Sequence, residues 1–404
     1  MKIVVIADAF PPMKTSGAVQ IRDLVSELDK QGHELTVLLP DATLPENYKS
    51  YKKGNIELLR LKAFETKDVN YVQRFIGECL LSFFMFKNLL KSPLKENQWD
   101  AVIWYSPSIF FGSLVKKIKH RSGCPAYLIL RDIFPEWAVD MGLLKRGIIF
   151  RYFKKVERSQ YRQADSIGVQ TPSNLDYFKS DHKDIDANIE VLNNWLSEPT
   201  PEISSIQISE TQLAGRKIFV YTGNIGIAQG MDILIDLSNE FKNDETAGFV
   251  FVGRGSAIEK IKQKAASYEL ENILFFDEIN PNEIPSLLAQ CHVGLIALDP
   301  RHRNDNIPGK FLAYMQSGLP VLANINAGND LETLVNEQKV GHVVTNNSLE
   351  DLTKLAKQLI EVDSEDEEGV EMKERCQQLA ASQFSSAAAV TQIVSALTAS
   401  KKVI

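Results

Sequence analysis

The chain has 404 residues, 44% of them hydrophobic and 24% charged, a soluble globular composition that excludes disorder, collagen and coiled coil as the main architecture. At roughly 150 residues per domain it holds two or three domains. The net charge of −7 argues against a bulk nucleic-acid binder. That sum hides an asymmetry: residues 1–198 carry 28 Lys and Arg against 24 Asp and Glu, residues 199–404 carry 17 against 28, and the window 71–162 carries 16 against 7. A basic region inside an acidic protein points to a polyanionic partner such as a membrane. Cys79, Cys124, Cys291 and Cys376 have no metal or disulfide spacing and read as reduced thiols of a cytosolic chain. The first apolar run is too short for a signal peptide, and no 18-residue apolar stretch predicts a bilayer span.

In chain order, Ile3–Ala7 is a continuous β-branched and apolar run, the pattern of a buried parallel strand. A loop with Pro11, Pro12 and Gly17 follows, then a helical pattern (Val19, Leu24, Val25, Leu28) ending near Gly32, then a strand at 35–39. This is a βαβ unit. Further strands are expected at 56–61, 101–104, 126–130, 166–169 and 189–192, which makes the first half a doubly wound α/β domain. The Pro- and Ser-rich stretch 193–214 reads as a linker. The pattern then restarts, with strands at 218–221, 248–252, 273–276, 293–297, 321–323 and 342–344 alternating with helices. The acidic run Asp363–Glu368 reads as a solvated loop, and an Ala- and Ser-rich helix closes the chain at about 385–400. The expected domains are 1–198, completed by the helix 385–404, and 199–384. Two such domains leave a cleft at the C-terminal ends of their strands, where ligands bind in open α/β sheets.

Three stretches carry chemistry. Gly17 lets a ligand approach a helix N-terminus that favours an anion, although a plain strand-to-helix turn fits equally. The segment lacks the G-x-G-x-x-G of a dinucleotide site. In the second half, Gly223-Asn224-Ile225-Gly226 with Gln229 offers backbone N–H groups to a diphosphate, and Arg254 in Gly253-Arg254-Gly255 either reaches that phosphate bidentately or is a solvated loop residue. The segment Arg301 to Ala323 is a basic loop, a Pro308-Gly309 helix start, one short helix and a Gly-x-Pro turn into a strand; Arg303 and Lys310 add positive charge at that helix start.

These residues resemble the GT-B glycosyltransferases of the large family 4, and among them the L-fucosamine (L-FucNAc) transferases of O-antigen and capsule synthesis. The resemblance runs nearly end to end. It lies in the Pro-Pro…Ser16-Gly17 loop with Gly32-His33, in Arg131-Asp132-Ile133-Phe134-Pro135-Glu136, in Thr222-Gly223-Asn224-Ile225-Gly226, and in Pro308 to Met315. It implies two Rossmann-like domains facing across a cleft, and a sugar, L-FucNAc from UDP-L-FucNAc, transferred to a polyprenyl-diphosphate-linked sugar acceptor. The implied donor site is Gly17, Asn224, Ile225, Gln229, Arg254, Glu278, Arg303, Ile307, Pro308, Gly309 and Lys310, with no metal or other cofactor. Asp132 and Glu136 are the implied catalytic carboxylates; each could bind a sugar hydroxyl or steer the acceptor, and Asp132 could equally cap its own turn. The sequence departs from the family pattern in two ways. The two family glutamates fall on Asp305 and Ala313, and the usual Arg and Lys of the diphosphate site fall on Asn224 and Gln229. Arg254, Arg303 and Lys310 are therefore expected to supply the missing charge. A sugar-nucleotide 2-epimerase and a non-catalytic hinged sugar-binding protein are the rival readings.

Residues 72–90 form a strongly apolar helical stretch with Arg74, Lys87, Lys91 and Lys95 near it. It is either a packing helix or an interfacial one. In the second case the region 71–162 docks on anionic lipid, aided by Lys116, Lys117, Lys119, Lys145, Arg146, Arg151, Lys154, Lys155 and Arg158, in a salt-sensitive manner. The chain is then cytoplasmic and peripheral at the inner face of the cytoplasmic membrane.

Overall fold

The computed structural model describes residues 1–13, 15–66, 69–140, 142–299, 307–362 and 366–401. The chain divides into two compact units: residues 1–194 with 386–404, and residues 195–385. Each is a parallel sheet with helical crossovers, and the strand runs seen in the sequence all form strands.

The first unit contains β1 (Lys2–Ile6), β2 (Glu34–Asp41), β3 (Tyr48–Lys53), β4 (Ile56–Lys62), β5 (Ala101–Tyr105), β6 (Ala126–Ile129), β7 (Ser166–Val169) and β8 (Asn188–Val191), in the order β3-β4-β2-β1-β5-β6-β7-β8. Only the β3–β4 pair is antiparallel. Ile3 to Ile6 are wholly buried, as a strand covered on both faces must be. The helix Ser16–Lys30 starts where the Thr15 hydroxyl accepts from Ala18 N–H, and turns Ala18, Ile21, Leu24, Val25 and Leu28 inward at helical spacing.

The second unit contains β9 (Lys217–Thr222), β10 (Ala247–Val252), β11 (Ile273–Phe276), β12 (Val293–Ala297), β13 (Val321–Asn324) and β14 (Gly341–Val344), in the order β11-β10-β9-β12-β13-β14 and all parallel. In each unit the strand order reverses beside the first strand, the topological switch point at which doubly wound sheets bind ligands.

Two expectations need correction. Glu367 and Glu368, read as loop, are the first turn of the helix Glu367–Gln383, where negative side chains suit the helix dipole; residues 363–365 lie outside the described residues. β3 went unread because its residues, Tyr-Lys-Ser-Tyr-Lys-Lys, are almost all exposed and show no apolar alternation. The closing helix, Ser386–Lys401, packs against the helix Ser16–Lys30 and strands β6 and β7 of the first unit. Gln392 donates to Glu190 Oε1 at 3.0 Å and Val191 O at 2.8 Å, and Lys401 meets Asp100 at 3.0 Å.

Candidate functional site

In the second unit, two glycine loops run side by side at the C-terminal ends of β9 and β10. Ile225 N–H donates to Arg254 O at 2.9 Å, and Ala257 N–H donates back to Ile225 O at 3.0 Å. The approach is so close that a Cβ on Gly253 would lie 1.9 Å from the Gly223 carbonyl oxygen, and one on Gly255 2.3 Å from that of Ile225. Both glycines also have positive φ, 151° and 159°. Only glycine fits there. Within the first loop the Gln229 Oε1 accepts from Asn224 Nδ2 at 3.1 Å and from Gly226 N–H at 3.0 Å. Asn224 and Gln229, where the resemblance places cations, therefore lace the loop together.

The helix Gly309–Gln316 begins beside these loops. Pro308 is its N-cap, no side chain caps the first turn, and the positive end of the helix dipole is there. Tyr314 fixes the helix to the sheet: its buried hydroxyl accepts from Thr222 N–H at 3.0 Å and lies 3.1 Å from Val220 O, while Gly294 leaves room for its ring, which a Cβ would meet at 2.4 Å. Ile307 is buried and Ala313 packs against the core. Lys310 projects back over the loop strand, its Nζ 3.5 Å from the centre of the Tyr221 ring, a cation–π arrangement. The Tyr221 hydroxyl donates to Asn224 O at 2.7 Å. Burial lowers the Lys310 pKa to about 7, because the surrounding protein disfavours its charged form. An arriving diphosphate would supply the counter-charge.

Arg254 and Glu278 meet each other, Nε to Oε2 at 2.8 Å, with both side chains largely exposed. The structure thus brings Asn224, Ile225, Gln229, Arg254, Glu278, Ile307, Pro308, Gly309 and Lys310 to one end of one unit. Arg303 and Asp305 lie outside the described residues. Gly17 belongs to the first unit, where a Cβ would come to 3.3 Å from the Tyr105 ring.

Asp132 and Glu136 also belong to the first unit. Arg131 is buried after β6, and its guanidinium donates to Leu192 O at 2.6 Å and Asn193 O at 3.3 Å, which pins the end of β8. Asp132 is exposed beside it; desolvation by the surrounding protein raises its pKa against the pull of Arg131. Tyr105 donates to Gln20 at 2.7 Å. Burial pushes its phenol up to about 12, with Arg131 opposing and the Asp132 and Asp8 carboxylates adding to the rise.

Glu136 is differently placed. It meets Lys154 at 3.0 Å and Arg146 at 3.4 Å. Lys154 in turn meets the fully buried Glu157 at 2.7 Å. Glu157 accepts from the Tyr161 and Tyr177 hydroxyls, and His182 lies 2.9 Å from Tyr177 Oη. This network ties the helices Glu136–Asp140, Ile148–Tyr161 and Pro172–Asp181 together. Sequence reasoning missed it, because its members are spread over residues 136–182 with no motif spacing.

Residues 216–362 match the family described as glycosyl transferases group 1. The chain is 24% identical to the probable glycosyltransferase WbjE of Pseudomonas aeruginosa over 61% of its own length and 62% of that protein. It is 24% identical to the putative colanic acid biosynthesis glycosyl transferase WcaI of Escherichia coli over 72% and 76%. The match thus spans less than two thirds of the first of these relatives. Among solved structures, WaaG, a glycosyltransferase involved in lipopolysaccharide biosynthesis, superposes with a TM-score of 0.60 at 15% identity, covering 98% of this chain and 99% of that one. Anabaena HepE in complex with UDP and glucose superposes with a TM-score of 0.65 at 14% identity, covering 98% and 99%. The fold is therefore GT-B, and the stretch similar to the group 1 family falls inside the second unit.

Proposed function

We propose that the chain transfers a sugar from a UDP-sugar to a lipid-linked sugar in the synthesis of a bacterial surface polysaccharide, with UDP-L-FucNAc as the first donor to test and a polyprenyl-diphosphate-linked sugar as acceptor. One observation carries the donor side: Lys310 stands at an uncapped helix start beside two interlocked glycine loops, inside the residues that match the family. A leaving UDP needs its negative charge met in the transition state. Lys310, the helix N-terminus and the loop N–H groups supply that charge, with Arg254 once it leaves Glu278 and Arg303 as a further cation. In this reading transfer needs no divalent metal, and the rate is unchanged by EDTA.

Asp132 is the carboxylate left to steer an acceptor hydroxyl, since Glu136 is held by two cations. The polysaccharide context rests on the names of WcaI and WaaG, and the UDP donor on the contents of the HepE complex. In the same reading the chain is cytoplasmic and peripheral at the inner face of the membrane, docked through the region 71–162. The test is transfer and donor hydrolysis with a panel of UDP-sugars and a polyprenyl-linked acceptor. Turnover with one UDP-sugar supports the reading. Isomerised nucleotide sugar without transfer would instead make the chain an epimerase, and sugar binding with no turnover a binding protein.

A further inference from the structure

Exposed large hydrophobic residues are not scattered over this molecule. Among the described residues, 12 of the 17 fall between Phe64 and Tyr152, less than a quarter of the chain. The most exposed are Ile148 at 81%, Val72 and Leu143 at 68% and Ile149 at 59%. Ring contacts join the segments that bear them. Phe75 lies 5.6 Å from Tyr152 and 5.9 Å from Phe153, Phe153 lies 4.9 Å from Phe134, and Phe134 lies 6.0 Å from Trp137. Through the buried Phe153 and the half-buried Phe134, the start of the helix Tyr71–Leu89, the start of the helix Ile148–Tyr161 and the short helix Glu136–Asp140 are packed together, and each carries exposed apolar side chains beside that join. Exposed apolar side chains gathered in this way mark an interaction site.

The segment that bears Leu143, Ile148 and Ile149 has charge of one sign, while Glu136 on the neighbouring short helix is paired with Arg146 and Lys154. From residue 141 to 156 the chain carries five cations and no acid. Lys145 and Arg151 are exposed, and Arg146 stacks on Phe150 at 5.3 Å. The other cations that the sequence assigned to docking are in good part engaged elsewhere: Lys119 with Asp165 at 2.6 Å, Lys154 with Glu157 at 2.7 Å, Arg158 with Asp184 at 3.4 Å, and Lys117 over the Phe86 ring at 4.6 Å. Among the described residues no helix is long and apolar enough to cross a membrane, so a bilayer would take this surface from one side only.

We propose that Leu143, Ile148 and Ile149 insert into one leaflet of an anionic bilayer, with Lys145, Arg146 and Arg151 at the headgroup level, and that apolar insertion rather than charge holds the chain there. This rests on the peripheral-membrane reading above and replaces its salt-sensitive attachment with a salt-resistant one. Each buried aliphatic side chain contributes far more than a screened surface cation.

The molecule carries its own reporter. Trp99, Trp104 and Trp195 are at most 4% exposed, and Trp137, on the patch, is 44% exposed. The full chain is mixed with vesicles of phosphatidylcholine and phosphatidylglycerol containing a brominated lipid, and Trp quenching and co-sedimentation are read in low salt and in about 1 M NaCl, where the Debye length is about 3 Å. The expected result is quenching that survives the high salt, and a drop in partitioning of about a hundredfold for the double variant Ile148→Ser with Ile149→Ser. These positions are exposed, so the fold is retained. Binding that vanishes in high salt and is lost in Lys145→Ala with Arg151→Ala, but not in the isoleucine variant, overturns the inference and leaves the membrane reading intact. Absence of binding at every salt overturns both. A concentration-dependent dimer that shields Trp137 without lipid, or quenching by a free isoprenoid diphosphate alone, overturns insertion in favour of a second copy or of the acceptor's own tail.

Discussion

The two units share an architecture and treat charge in opposite ways. In the first, a wholly buried carboxylate, Glu157, is neutralised within the protein by Lys154 and two tyrosines. In the second, a desolvated lysine, Lys310, has an aromatic face beneath it and a pKa lowered to about 7 by burial. The first arrangement is complete as it stands and gives rigidity. In the proposed reading the second is satisfied when an anion arrives. The same doubly wound sheet therefore carries a closed ionic network in one half and, in the proposed reading, a receptor for phosphate in the other.

The largest effect that would break this contrast is expected at Glu157. Glu157→Leu leaves Lys154 without its buried partner and should destabilise the first unit by about 3 kcal/mol, seen as an early transition in urea while the second unit holds. If the transition does not move, the network is ornamental. Next comes Gly253→Ala, whose methyl collides with the Gly223 carbonyl; a loss of about 2 kcal/mol from the second unit and weakened UDP binding are expected. Lys310→Met should raise the UDP dissociation constant about tenfold to a hundredfold by calorimetry without lowering thermal stability, because it removes a desolvated charge rather than a pair. The wild-type chain should show two opposite pH trends. UDP affinity falls as pH rises above about 7, where free Lys310 loses its proton. Stability instead rises between about 7 and the ordinary lysine value of 10.5, because over that window the unfolded lysine binds a proton that the folded one does not. Both trends should disappear in Lys310→Met. The smallest effect is expected for Arg254→Ala: its exposed pair with Glu278 is worth less than about 1 kcal/mol, so stability is unchanged and only donor affinity responds.

The strands were legible because a strand buried on both faces is written as a run of apolar residues, as in Ile3 to Ile6 or Phe249 to Val252. The glycine loops after β9 and β10 were legible because glycine clusters at the ends of buried strand runs. Partners distant in sequence were not legible. Nothing in local spacing joins Lys310 to Tyr221, Glu136 to Lys154, or Gln392 to Glu190, since each pair is set by how helices return to a sheet. Exposure was equally hidden: the apolar run 72–90 could be packed or bare, and it is both, with Leu81, Met85 and Leu89 buried and Val72, Ile76 and Phe83 exposed.

The closing helix has a consequence for how the molecule is made. The first unit is discontinuous, residues 1–194 and 386–404, and the second lies between its parts. Every residue of the second unit is synthesised before residue 386. The first cannot bury Val390, Ile393 and Leu397 until residues 386–401 follow. The half that starts first is thus finished last, and a chain cut short after residue 385 holds every residue of the second unit but leaves β6 and β7 of the first without their covering helix.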